Sequence, residues 1–378
     1  MKLFSATTRL GCAFLTVSSV LAAAPAAADG PRAVLPSLGT ITVITSTVPG
    51  NGDVNPYGMA QVRRTVGNLH AGHILISNFN NSSNLQGTGS TIVDVAPDGT
   101  LSQFAALSAD SLPGSCPGGV GLTTALVVLE QGWVVVGSLP TADGSAATAQ
   151  AGCLIVLDSH GNAVETFSGA PINGPWDMTA LDGWQSAKLF VTNVLNGTVA
   201  ANGQVVSQGT VVRLDLRVSG SSMPALESIT VIGSGFEERT DPAALVIGPT
   251  GVALAGDGED SDAALLYVAD TLNNRIVAIS NPLRRKSSAG TGRTLSSGGS
   301  LNGPLGLVVT PGGELLTVNG ADGFITEISP GGRQRAQALL DGSGSPPGAG
   351  TLFGLVFDPA HGVYFVDDGT NTVNLLHH

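Results

Sequence analysis

Four residues with chemically useful side chains lie within six positions of one another in the segment LLYVADTLNNRIVAIS: Asp270, Asn273, Asn274 and Arg275. They offer a carboxylate, two amides and a guanidinium, and carboxylate and amide oxygens are ligands that Ca²⁺ accepts. Asn and Asp also favour tight turns, and the runs on either side are apolar and rich in residues that form strands. The segment therefore has two interpretations, a reactive site or a turn that joins two strands.

The elements around this segment repeat along the chain. Six strand-like apolar runs end in a small polar residue, at Asn78, Ser138, Asn193, Asp270, Asn319 and Asp367. Each has an apolar run before it and another after it, and a weaker fourth run follows in most units. With 52 Gly, 21 Pro and only 12% charged residues, the composition suits short strands joined by tight turns. Four strands repeated six times predict an all-β fold, a six-bladed β-propeller of four-stranded antiparallel blades.

The ends of the repeat predict how the ring closes. The sixth unit has no fourth strand, whereas residues 41–47, ITVITST, form a strand that precedes the first unit. Pairing this N-terminal strand with the last blade leaves no open edge between the first and last blades. Residues 218–237 are long enough to contain an extra strand pair, so seven blades are the alternative.

The segment PTGVALAGDGEDSDAALLYVADTLNNRIVAIS resembles an NHL repeat in its apolar strand, its YVAD strand end and the N-x-R that starts the next strand. The resemblance is also clear at NGPLGLVVTPGGELLTVN. It implies a propeller, commonly six-bladed, which agrees with the strand count. Because NHL proteins include enzymes, interaction scaffolds and ligand sensors, the resemblance implies a fold and not an activity.

The first 28 residues have the pattern of a cleaved signal peptide. Lys2 and Arg9 precede an apolar run at residues 10–23, and the small residues at 26–28 suit a signal peptidase. The mature domain, residues 29–378, has no run of roughly 18 apolar residues that could span a membrane. Cleavage removes two cations from a formal charge of −12, which leaves about −14 and argues against nucleic-acid binding. We expect an exported, monomeric protein of the periplasm or the extracellular space.

Two cysteines remain after cleavage, Cys116 and Cys153. In an oxidising compartment an even pair favours a disulfide over two independent buried thiols. The sequence contains no CxxC motif and no Cys/His spacing typical of zinc, so neither a redox site nor a zinc site is indicated.

The strand order assigns each loop to one of two faces of the predicted ring. The upper face carries the second-to-third loops and the connections between blades, and the lower face carries the other hairpins. On the upper face, the loops of units one to three are long and rich in Asn, Ser, Gly and Thr, at residues 79–89, 139–151 and 194–208. Long loops on one side of a rigid scaffold often bind ligands. They predict a surface for a small molecule or a protein, with neutral insertions as the alternative.

Sequence motifs for histidine or serine catalysis are not evident. The internal histidines, His70, His73, His160 and His361, fall in predicted hairpins of the lower face. Histidine is the usual general base at neutral pH, so their position disfavours a histidine-dependent lyase similar to the streptogramin-cleaving propellers.

Two further groups of residues have a structural interpretation. The acidic run at residues 257–262 lacks the spaced bidentate Glu of an EF-hand loop and is expected to be a solvated turn. Trp133, Trp176 and Trp184 are candidates to stack a sugar, but a lone Trp among strands is more often core. Trp176, near the start of an inner strand, is the candidate to face the channel.

Carboxylates and amides are therefore the residues left for chemistry. Lactonases of the gluconolactonase-like propeller class hold a divalent metal at the channel mouth with Glu, Asn and Asp, and this similarity implies a comparable set in this chain. The set consists of Asn55, Asp177, Asn193, Asp270, Asn319 and Asp367. The alternative is structural, since Asn and Asp at a strand end cap the turn by hydrogen-bonding their own backbone.

The leading hypothesis from the sequence is an exported, non-catalytic module that binds a small molecule or a protein through its upper-face loops and needs no cofactor. The enzymatic alternative is a gluconolactonase-like, metal-dependent hydrolase that uses Ca²⁺ or another divalent ion at the channel mouth. A third interpretation is a structural protein of the cell envelope.

Overall fold

The computed structural model describes residues 33–219, 222–256 and 263–378, and their strands form six antiparallel sheets. The predicted signal peptide and the acidic run at 257–262 lie outside the described residues. In each sheet, strands that are consecutive in the chain are neighbours, as in the blades of a propeller. The predicted six-bladed β-propeller is confirmed. Among the described residues, no helix is long and apolar enough to cross a membrane.

The first strand, β1 (Thr40–Ser46), precedes the first three blades. Blade 1 contains β2 (Val54–Gln61), β3 (Ile74–Asn80), β4 (Thr91–Val95) and β5 (Leu101–Ala106). Blade 2 contains β6 (Leu122–Val128), β7 (Val134–Ser138), β8 (Cys153–Leu157) and β9 (Ala163–Ser168). Blade 3 contains β10 (Pro175–Asp182), β11 (Ser186–Asn193), β12 (Val206–Ser219), β13 (Ser222–Asp241) and β14 (Leu245–Ile247).

The second half of the ring follows the same order. Blade 4 contains β15 (Pro249–Ala255), β16 (Leu265–Asp270), β17 (Arg275–Ser280) and β18 (Arg293–Ser297). Blade 5 contains β19 (Pro304–Val309), β20 (Leu315–Asn319), β21 (Phe324–Ile328) and β22 (Gln334–Leu339). Blade 6 contains β23 (Leu352–Asp358), β24 (Gly362–Asp367) and β25 (Thr372–His377). The helical elements are α1 (Thr198–Ala201) and 3₁₀ turns at Leu35–Ser37, Ala109–Ser111, Ala146–Thr148 and Thr271–Asn273.

Burial explains why the sequence pattern is strong in some strands and weak in others. The middle strands β7 and β8 are buried along their whole length, because neighbouring blades cover both of their faces. They therefore appear in the sequence as continuous apolar runs. The outer strand β5 mixes buried and exposed residues, since one side of it meets solvent. This difference accounts for the weak fourth run of each unit.

The ring closes through its N-terminal strand, as predicted. Strand β1 pairs antiparallel with β25, from Thr40 opposite His377 to Ser46 opposite Thr372. The strand begins one residue before the predicted range of 41–47 and ends one residue before its end. Blade 6 thus contains the first and the last strands of the described chain, in the order β1-β25-β24-β23.

The segment that leads into β1 is held by a buried carboxylate. Glu327 of β21 is fully buried, and its two carboxylate oxygens accept the backbone N–H groups of Val34 and Leu35, at 2.7 and 2.9 Å. Leu35 is only 2% exposed and packs in the same apolar cluster as Leu340. Blade 5 therefore fixes the chain immediately before it joins blade 6.

Blade 3 differs from the predicted four strands. Of residues 218–237, considered above as an extra strand pair, the described ones, 218–219 and 222–237, belong to β12 and β13, and the ring keeps six blades. Strand β13 continues to Asp241, and the chain then folds back as β14, which pairs with β13 from Arg239 opposite Ile247 to Asp241 opposite Leu245. This fifth strand has no counterpart in the other blades among the described residues.

Candidate functional site

The polar residues that end the second strands form one structurally equivalent set. In every blade, the first strand, called here the inner strand, pairs with the second strand with an irregular register near its start. The inner-strand residue that pairs just before this irregularity lies opposite the polar residue. Asn193 and Asn319 show what these residues do. Their Oδ1 atoms accept the backbone N–H of Asn173 and Asn302, at 3.3 and 3.1 Å. In each case the side chain ties the end of the second strand to the connection that enters the same blade.

The same position in blade 4 holds an ion pair. Asp270 is fully buried, and its Oδ2 accepts a hydrogen bond from Arg275 Nε at 2.7 Å. Its Oδ1 accepts from Asn273 Nδ2 at 3.1 Å. All these partners belong to the turn between β16 and β17, so Asp270, Asn273 and Arg275 stabilise one hairpin.

The remaining predicted ligands on the upper face lie near the junction of blades 6 and 1. Asp367 Oδ1 accepts the backbone N–H of Thr370 at 3.2 Å, and burial, with the charge of Asp341, raises the pKa of the Asp367 carboxyl. Asn55 has φ +64°, and in the amide orientation that satisfies its neighbours it donates to Asp368 Oδ1 at 2.7 Å. Burial and the charge of Asp367 raise the pKa of Asp368 to about 7.

The side chains predicted as metal ligands make local hydrogen bonds. Asn193, Asp270 and Asn319 direct their oxygens into the turns of three different blades, and Asp177 lies in the channel. Within the described ranges, no group of three or more His, Cys, Asp or Glu side chains is placed to hold a metal ion. The structure therefore does not bring the predicted ligand set together, and the contacts seen are those of turn capping.

The upper end of the channel is filled by apolar side chains. Tyr57, Trp176, Leu305 and Phe353 occupy equivalent positions at the starts of four inner strands, and all belong to one buried cluster. The Tyr57 ring stacks on Phe79 and on Phe353, with centroid separations of 4.5 and 3.9 Å. Trp176 is packed in this core and only 6% exposed, in agreement with the structural interpretation of the sequence.

Strand β14 completes this closure. Leu245 is 1% exposed, although its φ of +60° is unusual for a residue with a branched side chain. It lines, with Tyr57, Phe79 and Trp176, a residual cavity of about 10 Å³. That volume is about that of one water-sized probe sphere. The folded-back segment of blade 3 therefore seals the upper mouth.

The long upper-face loops interlock above the blades. Thr141, in the second long loop, donates its backbone N–H to Gly87 O at 3.0 Å and its hydroxyl to Gln86 O at 2.5 Å. Gln86 Nε2 in turn donates to Ala243 O, next to β14, at 3.1 Å. A disulfide joins Cys116 to Cys153, the fully buried first residue of β8, as predicted. That these loops bind a small molecule or a protein stays a prediction.

A large open cavity lies at the opposite end of the channel. A funnel of about 1140 Å³ is lined by the C-terminal halves of the six inner strands and opens on the lower face. Aliphatic side chains line it, among them Leu126, Leu181, Leu254, Val308 and Val356, but polar atoms make up more than half of the surface that it exposes. Among the described residues, the charged ones that line it are Arg63, Glu130, Asp177 and Asp182. This is the face that the sequence analysis did not consider for a ligand.

A ring of small residues limits the depth of the funnel. Within the register irregularity, two positions after its first paired residue, four inner strands carry glycine, and a Cβ on Gly251 or Gly306 would overlap the backbone oxygen of Leu305 or Phe353. The inner strands are therefore in direct contact at this level. Blades 2 and 3 carry Thr124 and Asp177 in place of this glycine.

Asp177 and Thr124 are the polar groups at the closed end of the funnel. Asp177 is 8% exposed, and its Oδ2 and Oδ1 accept the N–H groups of Val252 and Met178 at 3.0 and 2.8 Å. Burial raises the pKa of the Asp177 carboxyl to about 7. Thr124 is 4% exposed, and its Oγ1 has no hydrogen-bond partner among the described residues.

The sequence named Asp177 as a metal ligand at the upper mouth and did not single out Thr124. The sequence repeat contains a signal for both Asp177 and Thr124. At the equivalent position the segments PTG, PLG and LFG have Gly, whereas PWD has Asp177 and LTT has Thr124. Comparing equivalent positions between units, rather than searching for reactive residues, would have found the pair.

The remaining residues considered for chemistry lie elsewhere. His73 Nδ1 lies 3.0 Å from Asp94, and His361 Nδ1 lies 3.2 Å from Asp358, in pairs that do not line the funnel. Trp133 packs partly buried against the core between blades 2 and 3. Trp184, in the β10–β11 hairpin, is 71% exposed.

Solved structures of similar fold are six-bladed propellers of the gluconolactonase type. A gluconolactonase from Xanthomonas campestris is 17% identical with a TM-score of 0.53, over 90% of this chain and 90% of that chain. The calcium-binding protein regucalcin from Agrobacterium tumefaciens is 14% identical with a TM-score of 0.54, over 88% and 93% of the two chains. A luciferin-regenerating enzyme is 10% identical with a TM-score of 0.54, over 90% and 95%. No protein-family model and no curated protein matches the chain. At these identities the likeness shows the fold alone.

Proposed function

We propose that this protein binds a small organic molecule in the lower funnel, with its polar end at Asp177. The observation that carries the proposal is the funnel itself, a large cavity lined by both aliphatic side chains and polar groups, with the buried carboxyl of Asp177 at its closed end. Ligand sites commonly combine apolar walls with a few convergent polar groups. In the described part of the chain, apolar side chains fill the upper mouth and leave a cavity of about 10 Å³ there.

A fluorescent probe tests this proposal. We expect the neutral dye N-phenyl-1-naphthylamine to bind saturably, and Val308→Trp, which fills the funnel, to weaken its binding at least about tenfold. The matched control is Val43→Trp on β1, where the native side chain is 61% exposed and distant from the funnel. Equal binding by a folded Val308→Trp variant and the wild type would place the dye elsewhere and refute the proposal.

A second candidate function is hydrolysis of a lactone in the same funnel. Two observations favour it over binding alone: the raised pKa of Asp177 suits a general base near neutral pH, and the solved neighbours include a gluconolactonase. Asp177, as the carboxylate, takes a proton from water while the water oxygen bonds to the lactone carbonyl carbon. The ring C–O bond then breaks, and the proton passes from Asp177 to the departing alkoxide. The net reaction adds one water to one lactone and gives a hydroxy acid.

Hydrolysis is measured by titrating the acid released from δ-decalactone. We expect Asp177→Asn to lower the rate about 100-fold or more, because general bases typically contribute factors of this size. Asp177→Gly, which restores the glycine found at this position in four other blades, provides a second variant that the ring accommodates. Unchanged rates in both variants would exclude Asp177 as the base.

The hydrolysis scheme above assigns no step to a divalent metal. Ca²⁺ binding at Asn55, Asp177, Asn193, Asp270, Asn319 and Asp367 stays a prediction. A rise in melting temperature on replacing EDTA by Ca²⁺, lost in Asp270→Ala, would support it.

We further propose that the protein is exported and belongs to the NHL-type propellers. The disulfide supports an oxidising compartment, and the N-terminal pattern of residues 1–28 supports cleavage of a signal peptide. The Asp270–Arg275 hairpin supports the NHL assignment, because it places the YVAD and N-x-R residues of the resemblance in one hydrogen-bonded turn. N-terminal sequencing of the protein secreted by its host tests the first point.

A further inference from the structure

We propose that the lower funnel selects organic cations, whose positively charged group lies at the rim against the carboxylates of Glu130 and Asp182. This inference rests on the proposed function and names the class of ligand. The charged group is at the opposite end of the ligand from the polar group proposed at Asp177. The inference follows from the distribution of charge along the funnel and from the contacts that its carboxylates make.

The charged residues that line the funnel lie on one half of the ring. Arg63, Glu130, Asp177 and Asp182 come from blades 1 to 3 and the hairpins that extend them, whereas the described lining residues of blades 4 to 6 are uncharged. Three carboxylates therefore share the cavity with one guanidinium. A cleft lined mainly by charges of one sign concentrates ligands of the opposite sign.

Glu130 and Asp182 lie together at the junction of blades 2 and 3. Asp182 is the last residue of β10, and Glu130 lies two residues beyond the end of β6. Asp182 Oδ2 accepts the backbone N–H of Glu130 at 2.5 Å. This hydrogen bond brings two side chains of like charge to the same stretch of the funnel rim.

In the described part of the chain, these two carboxylates have no cation in contact with them. The Glu130 side chain is exposed, and Asp182 Oδ1 has no hydrogen-bond partner among the described residues. Burial raises the pKa of the Asp182 carboxyl, and the charge of Glu130 adds to the rise, whereas the charge of Arg63 opposes it. Carboxylates that share a site repel one another, and a ligand cation between them would relieve that repulsion.

The closed end of the funnel adds a third carboxyl. Asp177 is 8% exposed, and its carboxylate oxygens accept the backbone N–H groups of Val252 and Met178. Both partners are uncharged, so they do not cancel the charge that Asp177 carries when it ionises. An anionic ligand would therefore meet repulsion at the rim and again at the closed end.

An organic cation fits this arrangement better than a metal ion does. Within the described ranges, no group of three or more His, Cys, Asp or Glu side chains is placed to hold a metal. An ammonium group needs fewer ligands, since one or two carboxylates can accept its charge-assisted hydrogen bonds. The funnel volume of about 1140 Å³ also accommodates an organic molecule of ordinary ligand size.

Three dansyl probes with chains of similar length test the ligand class. Dansylcadaverine ends in an ammonium group, N-dansyl-6-aminohexanoate in a carboxylate and N-hexyl dansylamide in a methyl group. Fluorescence titrations at pH 7.5 without added metal measure the three affinities. We expect dansylcadaverine to bind at least about tenfold more tightly than either of the other probes. Its advantage should shrink when NaCl is raised to about 0.5 M, because salt screens the charges.

Substitution of the two rim carboxylates tests the predicted contact. Asp182→Asn keeps an oxygen that can accept the Glu130 N–H, and Glu130→Gln changes an exposed side chain. In the double variant we expect dansylcadaverine to bind at least about tenfold more weakly and N-hexyl dansylamide to bind as before. The matched control, Asp110→Asn with Asp143→Asn, removes the same charge from exposed positions that do not line the funnel. Arg63→Gln should act in the opposite direction and strengthen dansylcadaverine about threefold.

The outcomes distinguish this inference from the proposed function. Equal affinities for the three probes, in binding that Val308→Trp weakens, would overturn the ligand class and leave a funnel site. An equal loss in the rim variant and its control would also overturn it. Displacement of dansylcadaverine by Ca²⁺ at a lower concentration than by hexylammonium would assign the carboxylates to a metal ion instead. Probe binding that Val308→Trp does not affect would remove the funnel site and the inference with it.

Discussion

Asp177 and Val252 join blades 3 and 4 at the channel wall, through a hydrogen bond of 3.0 Å from the Val252 N–H to Asp177 Oδ2. In four of the other five blades, glycines such as Gly306 bring the inner strands into direct contact at this level. Asp177 therefore has two roles to separate, one in holding two blades together and one at the end of the funnel. The dependence of stability on pH reports on the first.

Stability should decrease as the pH rises through neutrality. The pKa of Asp177 is raised from 3.8 to about 7 and that of Glu238 from 4.5 to about 8, mainly by burial. A carboxyl whose folded-state pKa is raised contributes stability that is complete below its unfolded pKa and is lost as the pH rises through the folded pKa. For Asp177 the window is about pH 4 to 7, and the loss is on the order of 2–4 kcal/mol.

Urea unfolding of the wild type and Asp177→Asn between pH 4 and 8 measures this effect. The variant should show a shallower fall in unfolding free energy over that window. The control is Asp98→Asn, because Asp98 is exposed and its hydrogen bonds with Thr100 lower its pKa. Parallel pH profiles for the wild type and Asp177→Asn would show that Asp177 ionises freely in the folded state.

The buried ion pair between Asp270 and Arg275 should contribute more to the free energy of unfolding than a surface ion pair does. Arg275→Ala removes the guanidinium 2.7 Å from a carboxylate that is fully buried, and we expect a loss of about 1–3 kcal/mol of unfolding free energy. Arg217→Ala provides the comparison, since Arg217 and Glu227 lie 3.4 Å apart with side chains 66% and 56% exposed. Its cost should be below about 0.5 kcal/mol. Equal losses would mean that the buried pair does not stabilise the hairpin.

Removal of the disulfide should destabilise the whole domain. Cys116 and Cys153 are 37 residues apart in sequence, and the chain-entropy estimate for a loop of this size is about 3–4 kcal/mol. We expect the Cys116→Ser, Cys153→Ser double variant to unfold at a lower denaturant midpoint. Dithiothreitol should lower the midpoint of the wild type but leave that of the double variant unchanged. A wild type insensitive to the reductant would contradict the prediction, provided that mass spectrometry shows the bond reduced.

The carboxylate of Glu327 should control the N-terminal segment locally. In Glu327→Ala the N–H groups of Val34 and Leu35 lose their acceptors, so hydrogen exchange should accelerate at residues 33–39. Glu165→Ala serves as the control, because Glu165 accepts the N–H of its own neighbour, Thr166. Exchange in β16 should stay unchanged in both variants. If residues 33–39 exchange as slowly in Glu327→Ala as in the wild type, their anchoring comes from Leu35 instead.

The fold was predictable because each blade carries the same local pattern. Five of the six predicted strand ends, from Ser138 to Asp367, coincide with the ends of β7, β11, β16, β20 and β24, and β3 continues two residues past Asn78. These strands lie between neighbouring blades, so burial on both faces makes their apolar runs easy to recognise. The pairing of the N-terminal strand with the last blade was also predictable, because the last unit has only three strands and one strand precedes the first unit.

The position of the cavity was not predictable in the same way. The upper mouth is closed by Leu245, which lies in a segment that folds back from β13 and has no counterpart in the repeat. A positive φ at a leucine has no local sequence signal, because the surrounding packing imposes it. Asp177 was named from the sequence as a candidate site residue. That it faces the lower funnel and not the upper mouth depends on the closure by Leu245, which leaves only the C-terminal halves of the inner strands open.

The seal at Leu245 makes the channel a cup rather than a tube. A molecule that reaches the floor of a cup must leave through the opening by which it arrived, so arrival and departure compete for one passage. Turnover would then require each product to clear the opening before another substrate could reach the floor. A second protein seated over the lower rim would hold the contents in place, and release would depend on that partner and not on the propeller.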